Sequence, residues 1–191
     1  MLISGSAHEY GSWPADKAES FVRSLSQALI KNDNRIVSGF GLAVGSQVIT
    51  GVLEELYQRQ GRRLDDQLIL RPFPQGPDAQ KQWEGYRQEM IAHAGTAVFI
   101  FGNRPEAGSV VPAGGVRREF EIAKANGLLL IPIGATGYMA QELWKEIVDN
   151  FDSFYPAHPE LKPLFVLLSD ASDSKRLIDT VVDIINKAKG R

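Results

Sequence analysis

A chain of 191 residues, 43% hydrophobic and 23% charged, is long enough to bury one full core. Its formal net charge of -2 counts against nucleic acid as a partner, since nucleic-acid-binding domains carry a clear basic excess, and the lack of cysteine excludes disulfides and thiolate metal sites. The opening MLISGSAHEY lacks the basic and apolar regions of a signal peptide, and no apolar run approaches the roughly 20 residues of a membrane span, so the chain reads as soluble and cytoplasmic.

Short apolar runs alternate with longer amphipathic stretches, the pattern of β/α units on a mostly parallel sheet. MLIS is the first predicted strand. Pro14 to Lys31 is a helix with Ala18, Phe21, Val22, Leu25, Ala28 and Leu29 on one face. RIVSGF is the second strand, and Gly45 to Gln60 a helix with Val48, Ile49, Val52 and Leu56 inward. QLILRPF is the third strand, followed by a helix from Asp78 to Ala94. TAVFIFG, the fourth strand, delivers the chain into a long small-residue loop, GNRPEAGSVVPAGG, ahead of a helix from Val116 to Ala125. LLLIPIG is the fifth strand, and Ala140 to Phe151 a helix. PLFVLL fits a sixth strand or a buried helical turn, and periodicity does not separate the two. Ser174 to Lys189 closes the chain as an amphipathic helix with Leu177, Ile178, Val181, Val182, Ile184 and Ile185. No repeat, low-complexity stretch or linker intervenes, so residues 1–191 read as one domain. The expected fold class is α/β, doubly wound, with helices on both faces of a mostly parallel sheet.

Four strands end in loops of unusual composition: SGSAHEYG, SGFGLAVGS, RPFPQG and GNRPEAGSVVPAGG. The carboxyl ends of the strands of an open parallel sheet form the ligand crevice, and glycines there let backbone N–H groups approach phosphate oxygens. Gly39, Gly41 and Gly45 make a strand-to-helix glycine turn of this kind, one residue longer than the dinucleotide fingerprint. Turns need glycine for their own sake, so the motif alone does not decide. Arg71 stands where a ribose-binding acid would end the third strand, and the Lys-Ser/Thr of a phosphate-binding P-loop is missing; an ordinary NAD-dehydrogenase loses ground.

Arg87, in WEGYRQEM, has the ordinary reading of a solvated helix arginine. Arg104 follows FIFGN directly, so its guanidinium starts at the crevice rim, where a planar fork can bind phosphate. Glu119, in the first turn of its helix, either complements the helix dipole or offers a carboxylate to ribose hydroxyls or to acid–base work. Arg117 and Arg118 oppose that dipole, which points to an anion nearby. His8, His93 and His158 do not combine with carboxylates at metal-ligand spacing, and Ser4, Ser6 and Ser38 lack a nucleophile-elbow context. No metal site and no acyl-transfer site is expected.

Taken together, LISGSAHEYG, IVSGFGLAVGSQVITG, FIFGNR, GGVRREFEIA and IPIGATGYMAQELW resemble the SLOG domain, most closely its version at the carboxyl end of Thoeris antiphage effectors. The similarity runs in order along nearly the whole chain. It implies a Rossmann-like fold and a sensor. In Thoeris systems a TIR enzyme converts NAD into a cyclic ADP-ribose isomer, the SLOG domain binds it, and an attached domain, commonly a sirtuin-like NADase, is switched on. On this resemblance Arg87, Arg104 and Glu119 match the positions that hold the signal, with Arg104 where the family commonly has lysine. Gly5, Ser6, Ala7, Gly39, Phe40, Gly41, Gly45, Arg71, Gly102, Asn103 and Gly115 complete the expected ligand site. The partner implied is a small nucleotide second messenger, with no cofactor and no catalysis in this domain itself.

The superfamily also holds the LOG phosphoribohydrolases, whose signature is Pro-Gly-Gly-x-Gly-Thr-x-x-Glu. Val111 to Glu119 keeps the last glycine and the glutamate but not the Pro-Gly-Gly start or the threonine, which favours binding over nucleotide hydrolysis. The rival reading is a LOG-like N-glycosidase with Glu119 at the ribose carbon. LOG-type relatives are dimers, and Trp83, Tyr86, Met90 and Ile91 give one helix more apolar surface than a single core face requires, so a homodimer or higher oligomer is expected unless all four are core. With no effector domain and a strand at its first residue, the chain reads as a module cut from a longer protein.

Overall fold

The computed structural model describes residues 1–58 and 63–190. In chain order the elements are β1 (Leu2–Ser6), α1 (Ala15–Lys31), β2 (Ile36–Ser38), α2 (Val44–Gln58), α3 (Leu64–Gln67), β3 (Leu68–Leu70) and α4 (Ala79–Ala92). There follow β4 (Thr96–Phe101), β5 (Asn103–Glu106), β6 (Ser109–Pro112), α5 (Gly114–Ala125), β7 (Leu129–Pro132), α6 (Tyr138–Asp149), α7 (Phe151–Phe154), α8 (Lys162–Leu167) and α9 (Ser174–Ala188). Five strands form one parallel sheet in the order β3-β2-β1-β4-β7.

The chain steps from β1 through β2 to β3 at one edge, and α4 then carries it back across to β4, from which α5 leads to β7. Right-handed crossovers place the helices of these two excursions on opposite faces. Accordingly α1 packs on α2 and α9, whereas α5 packs on α4 and α6. All six residues of β4 are buried, because it lies between β1 and β7 and is covered twice, which is why it reads as an unbroken apolar run. The residues predicted inward on α1, α2 and α9 are buried or half-buried, and one continuous core runs from Met1 to Ile185. Phe21, Phe99, Phe101, Phe120, Phe151 and Phe165 are its largest closed-off side chains, each contributing about 1.5–3 kcal/mol by burial.

Several boundaries differ from the sequence expectation. The loop expected after the fourth strand is a hairpin: β5 pairs antiparallel with β6, outside the main sheet. Ala107 and Gly108, with φ of 48° and 81°, supply the two left-handed residues of a type I′ turn. Pro105 and Pro112 hid these strands, and a two-stranded ribbon tolerates them because each strand has a free edge. PLFVLL resolves as helix α8, with Pro163 in the first turn, where its missing N–H costs little. The helix α5 starts at Gly114 rather than Val116, and α3 was not foreseen. The end expected for the second helix, at Gln60, lies outside the described residues.

Candidate functional site

Strand order reverses between β1 and β4, and in such a sheet the carboxyl ends at the reversal open a crevice. A cleft of about 970 Å³ occupies this place, walled by Ser4 to Ser6, the Gly39–Leu42 turn, Phe73, α4 and the start of α5, with Arg104 at its rim. A smaller depression of about 640 Å³ lies between the starts of α1 and α9, and its charged residues, Lys17 and Lys175, are both exposed.

The glycine turn is shaped by close approach. A Cβ on Gly41 would stand 2.0 Å from the Gly5 carbonyl oxygen, and one on Gly45 would stand 2.7 Å from Phe40 Cα and Cδ2. Only glycine lets this turn lie flat on β1 and against the first turn of α2. The Ala7 N–H donates to the Leu42 carbonyl (2.9 Å), the Arg71 N–H to the Ser38 carbonyl (2.9 Å), and the Phe40 N–H to Ser38 Oγ (3.2 Å).

Charge is concentrated on the floor. Glu119, 8% exposed, reaches from α5 to β1, where the buried Ser4 hydroxyl donates to its Oε2 at 2.6 Å. Arg87 Nε lies 3.6 Å from Glu119 Oε1, an ion-pair contact too long for a hydrogen bond, and this buried nitrogen has no hydrogen-bond partner. The Arg87 side chain is only 12% exposed, with its guanidinium 5.0 Å from the ring centre of Phe73 and 5.8 Å from that of Trp83. It is therefore not a solvated helix arginine. A Cβ on Gly115 would stand 3.0 Å from Arg87 Nη2, so that glycine leaves room for the guanidinium over the start of α5. Burial pushes the Glu119 carboxyl above the ordinary carboxylate range, against the opposing pull of the Ser4 hydrogen bond and the Arg87 charge. The start of α5 carries no side-chain cap, so its first N–H groups, at Gly114 and Gly115, stand open on the cleft wall.

Of the residues singled out in the sequence, the fold brings Gly5, Ser6, Gly39, Phe40, Gly41, Arg87, Arg104, Gly115 and Glu119 to one cleft. Ala7, Gly45, Arg71, Gly102 and Asn103 stand outside its lining. Gly102, at φ 85°, joins β4 to the hairpin, and the fully buried Asn103 accepts from the His8 and Glu9 N–H groups and donates to the Glu9 carbonyl. Arg71 is exposed beyond β3. Arg104 is half-exposed on β5 and bonded to Glu106 at 2.8 Å. The anion inferred from Arg117 and Arg118 is not needed: Arg117 pairs with Glu146 at 2.5 Å, and Arg118 bonds Glu84 on α4 through both carboxylate oxygens. Sequence reasoning missed Ser4, Phe73 and Trp83 as parts of the site. Trp83 shows as an aromatic on a helix, but its place in the wall depends on Phe73, 6.0 Å away between ring centres, arriving from the loop after β3.

Among the described residues no group of three or more His, Cys, Asp or Glu side chains stands ready to hold a metal ion, and no helix is long and apolar enough to cross a membrane.

The model of the Sir2- and TIR-associating SLOG family matches residues 1–188. The chain is 46% identical over 187 residues to an NAD(+) hydrolase ThsA of Bacillus cereus (strain MSX-D12), covering 97% of this chain and 39% of that protein. It is likewise 46% identical over 192 residues to an NAD(+) hydrolase ThsA of Cytobacillus dafuensis, again covering 97% and 39%, and 38% identical over 197 residues to one of Acinetobacter baumannii (strain 532279), covering 97% and 41%. The chain thus spans about two fifths of the length of these relatives. Fold, reversed strand order, glycine-shaped cleft and whole-length match agree: the chain belongs to the Sir2- and TIR-associating SLOG family.

Proposed function

We propose that the cleft binds a cyclic ADP-ribose isomer without consuming it, as the sensor part of a Thoeris antiphage effector whose attached domain, such as a sirtuin-like NADase, responds to the signal. The observation that carries this reading is Arg87, a largely buried guanidinium on the cleft wall beside an uncapped helix start. A charge-assisted hydrogen bond from it to a phosphate oxygen stabilises by about 1.5–3 kcal/mol. Arg104 and the first N–H groups of α5 then share the pyrophosphate, while Glu119 accepts from ribose hydroxyls. The ThsA relatives are named NAD(+) hydrolases and are longer than this chain, which supports assigning the hydrolysis to the longer protein and the nucleotide binding to this part.

A second reading, a LOG-like phosphoribohydrolase, is favoured by one observation. A carboxyl held above its ordinary range, as in Glu119, suits a general acid. Incubation with AMP and with cyclic ADP-ribose isomers, followed by chromatography, separates the two. The sensor reading expects AMP unchanged and the isomer recovered intact after tight binding. Free adenine and ribose 5-phosphate would overturn it.

A further inference from the structure

Phe40 occupies a position that backbone sterics disfavour. Its φ is +55°, in the left-handed region that a bulky side chain rarely enters, and Ala43 in the same turn has φ +57°. Strain of this kind persists only where the surroundings over-determine it, and here they do. Gly41 lies against Gly5, Gly45 lies under Phe40, the Phe40 N–H donates to Ser38 Oγ, and the Ala7 N–H donates to the Leu42 carbonyl.

The outcome is an aromatic ring seated against the first turn of α2 and still 47% exposed, on the cleft wall. The other lining aromatics are engaged. Trp83 Nε1 donates to the Pro74 carbonyl at 3.0 Å, and the Phe73 ring is taken up by Trp83, Tyr86 and the Arg87 guanidinium. Phe40 has no ring or cation partner among the described residues. The turn's backbone is held on both sides, and about half of the ring faces the cleft. That exposed apolar face suits a planar heterocycle.

Resting on the nucleotide reading of the cleft, we infer that Phe40 is the stacking platform for the nucleobase of the ligand, and that the strained glycine turn exists to present it. The floor holds phosphate and ribose through Arg87 and Glu119, and the base lies outward over the ring. Such a platform recognises a purine by its π face rather than by hydrogen bonds, so it selects for the presence of a base more than for its identity.

The test is calorimetric titration with cyclic ADP-ribose isomers of wild type and of Phe40→Ala, Phe40→Leu, Phe40→Tyr and Phe40→Gly, with the melting temperature of each. Loss of base stacking weakens Phe40→Ala and Phe40→Gly roughly five- to hundredfold, Phe40→Leu by most of that, and leaves Phe40→Tyr within about twofold. Phe40→Gly, which removes ring and backbone strain together, melts at or above the wild-type temperature. Wild-type affinity in Phe40→Ala or Phe40→Leu overturns the platform alone. So does a melting temperature of Phe40→Gly well below wild type, which makes the ring a packing residue. Wild type without measurable affinity for any isomer overturns the nucleotide reading, and this inference with it.

Discussion

Glu119 is a carboxylate enclosed between a strand and two helices, and its energetics set the behaviour of the site. Because burial raises its pKa, the folded protein keeps the proton to a higher pH than the unfolded chain does. The stability this contributes is complete below the ordinary carboxylate range and is lost as pH rises through the raised value. Glu119→Gln keeps the shape and abolishes that loss. Its melting temperature relative to wild type should therefore climb with pH across this window and level off above it; a difference that is flat or falls would contradict the assignment. The same variant keeps one acceptor oxygen, so ligand affinity should fall only about fivefold, the equivalent of roughly 1 kcal/mol for one weakened hydrogen bond. Glu119 was legible in the sequence as an acid in the first turn of a helix after a strand-end loop. Ser4 was not, because nothing in MLISGS says that its hydroxyl meets a residue 115 positions away.

At the scale of elements, glycines decide what can approach what. Gly51 lets α2 cross α1 so closely that a Cβ there would stand 2.3 Å from the Arg23 carbonyl oxygen, while Gly41 lets the cleft turn lie on β1. Overpacking of this kind costs typically about 1–3 kcal/mol. Gly51→Ala should lower the melting temperature and leave ligand affinity in the folded fraction nearly unchanged, because it lies at a helix crossing away from the cleft. Gly41→Ala should lower both. Equal losses of affinity in the two variants, measured by titration below their melting temperatures, would break the distinction. Apolar runs and helical periodicity revealed the parallel strands and long helices, since each is buried on a face with a regular spacing. The β5–β6 hairpin stayed hidden because its four-residue strands contain two prolines and lie largely exposed, so no alternation marks them. That hairpin carries Arg104, whose position at the rim was legible after FIFGN, whereas the element that holds it and its pairing with Glu106 were not.

Across the whole molecule, the reversal of strand order between β1 and β4 gathers loops from distant parts of the chain into one cleft. The apolar residues of α4 are used within the chain: Met90 and Ile91 are core, and Trp83 and Tyr86 pack on Phe73. The expected self-association thus rests on resemblance to dimeric LOG enzymes, and light scattering measures it, with a mass above that of one chain as the expected result. The proposed nucleotide sensor is built around a buried arginine, and calorimetric titration of cyclic ADP-ribose isomers into wild type and Arg87→Ala probes it. Saturable binding to wild type is expected, with an affinity about tenfold to a hundredfold weaker in Arg87→Ala, since a charge-assisted hydrogen bond to phosphate contributes roughly 1.5–3 kcal/mol. Equal affinity in the two proteins, or no binding to either, would contradict it.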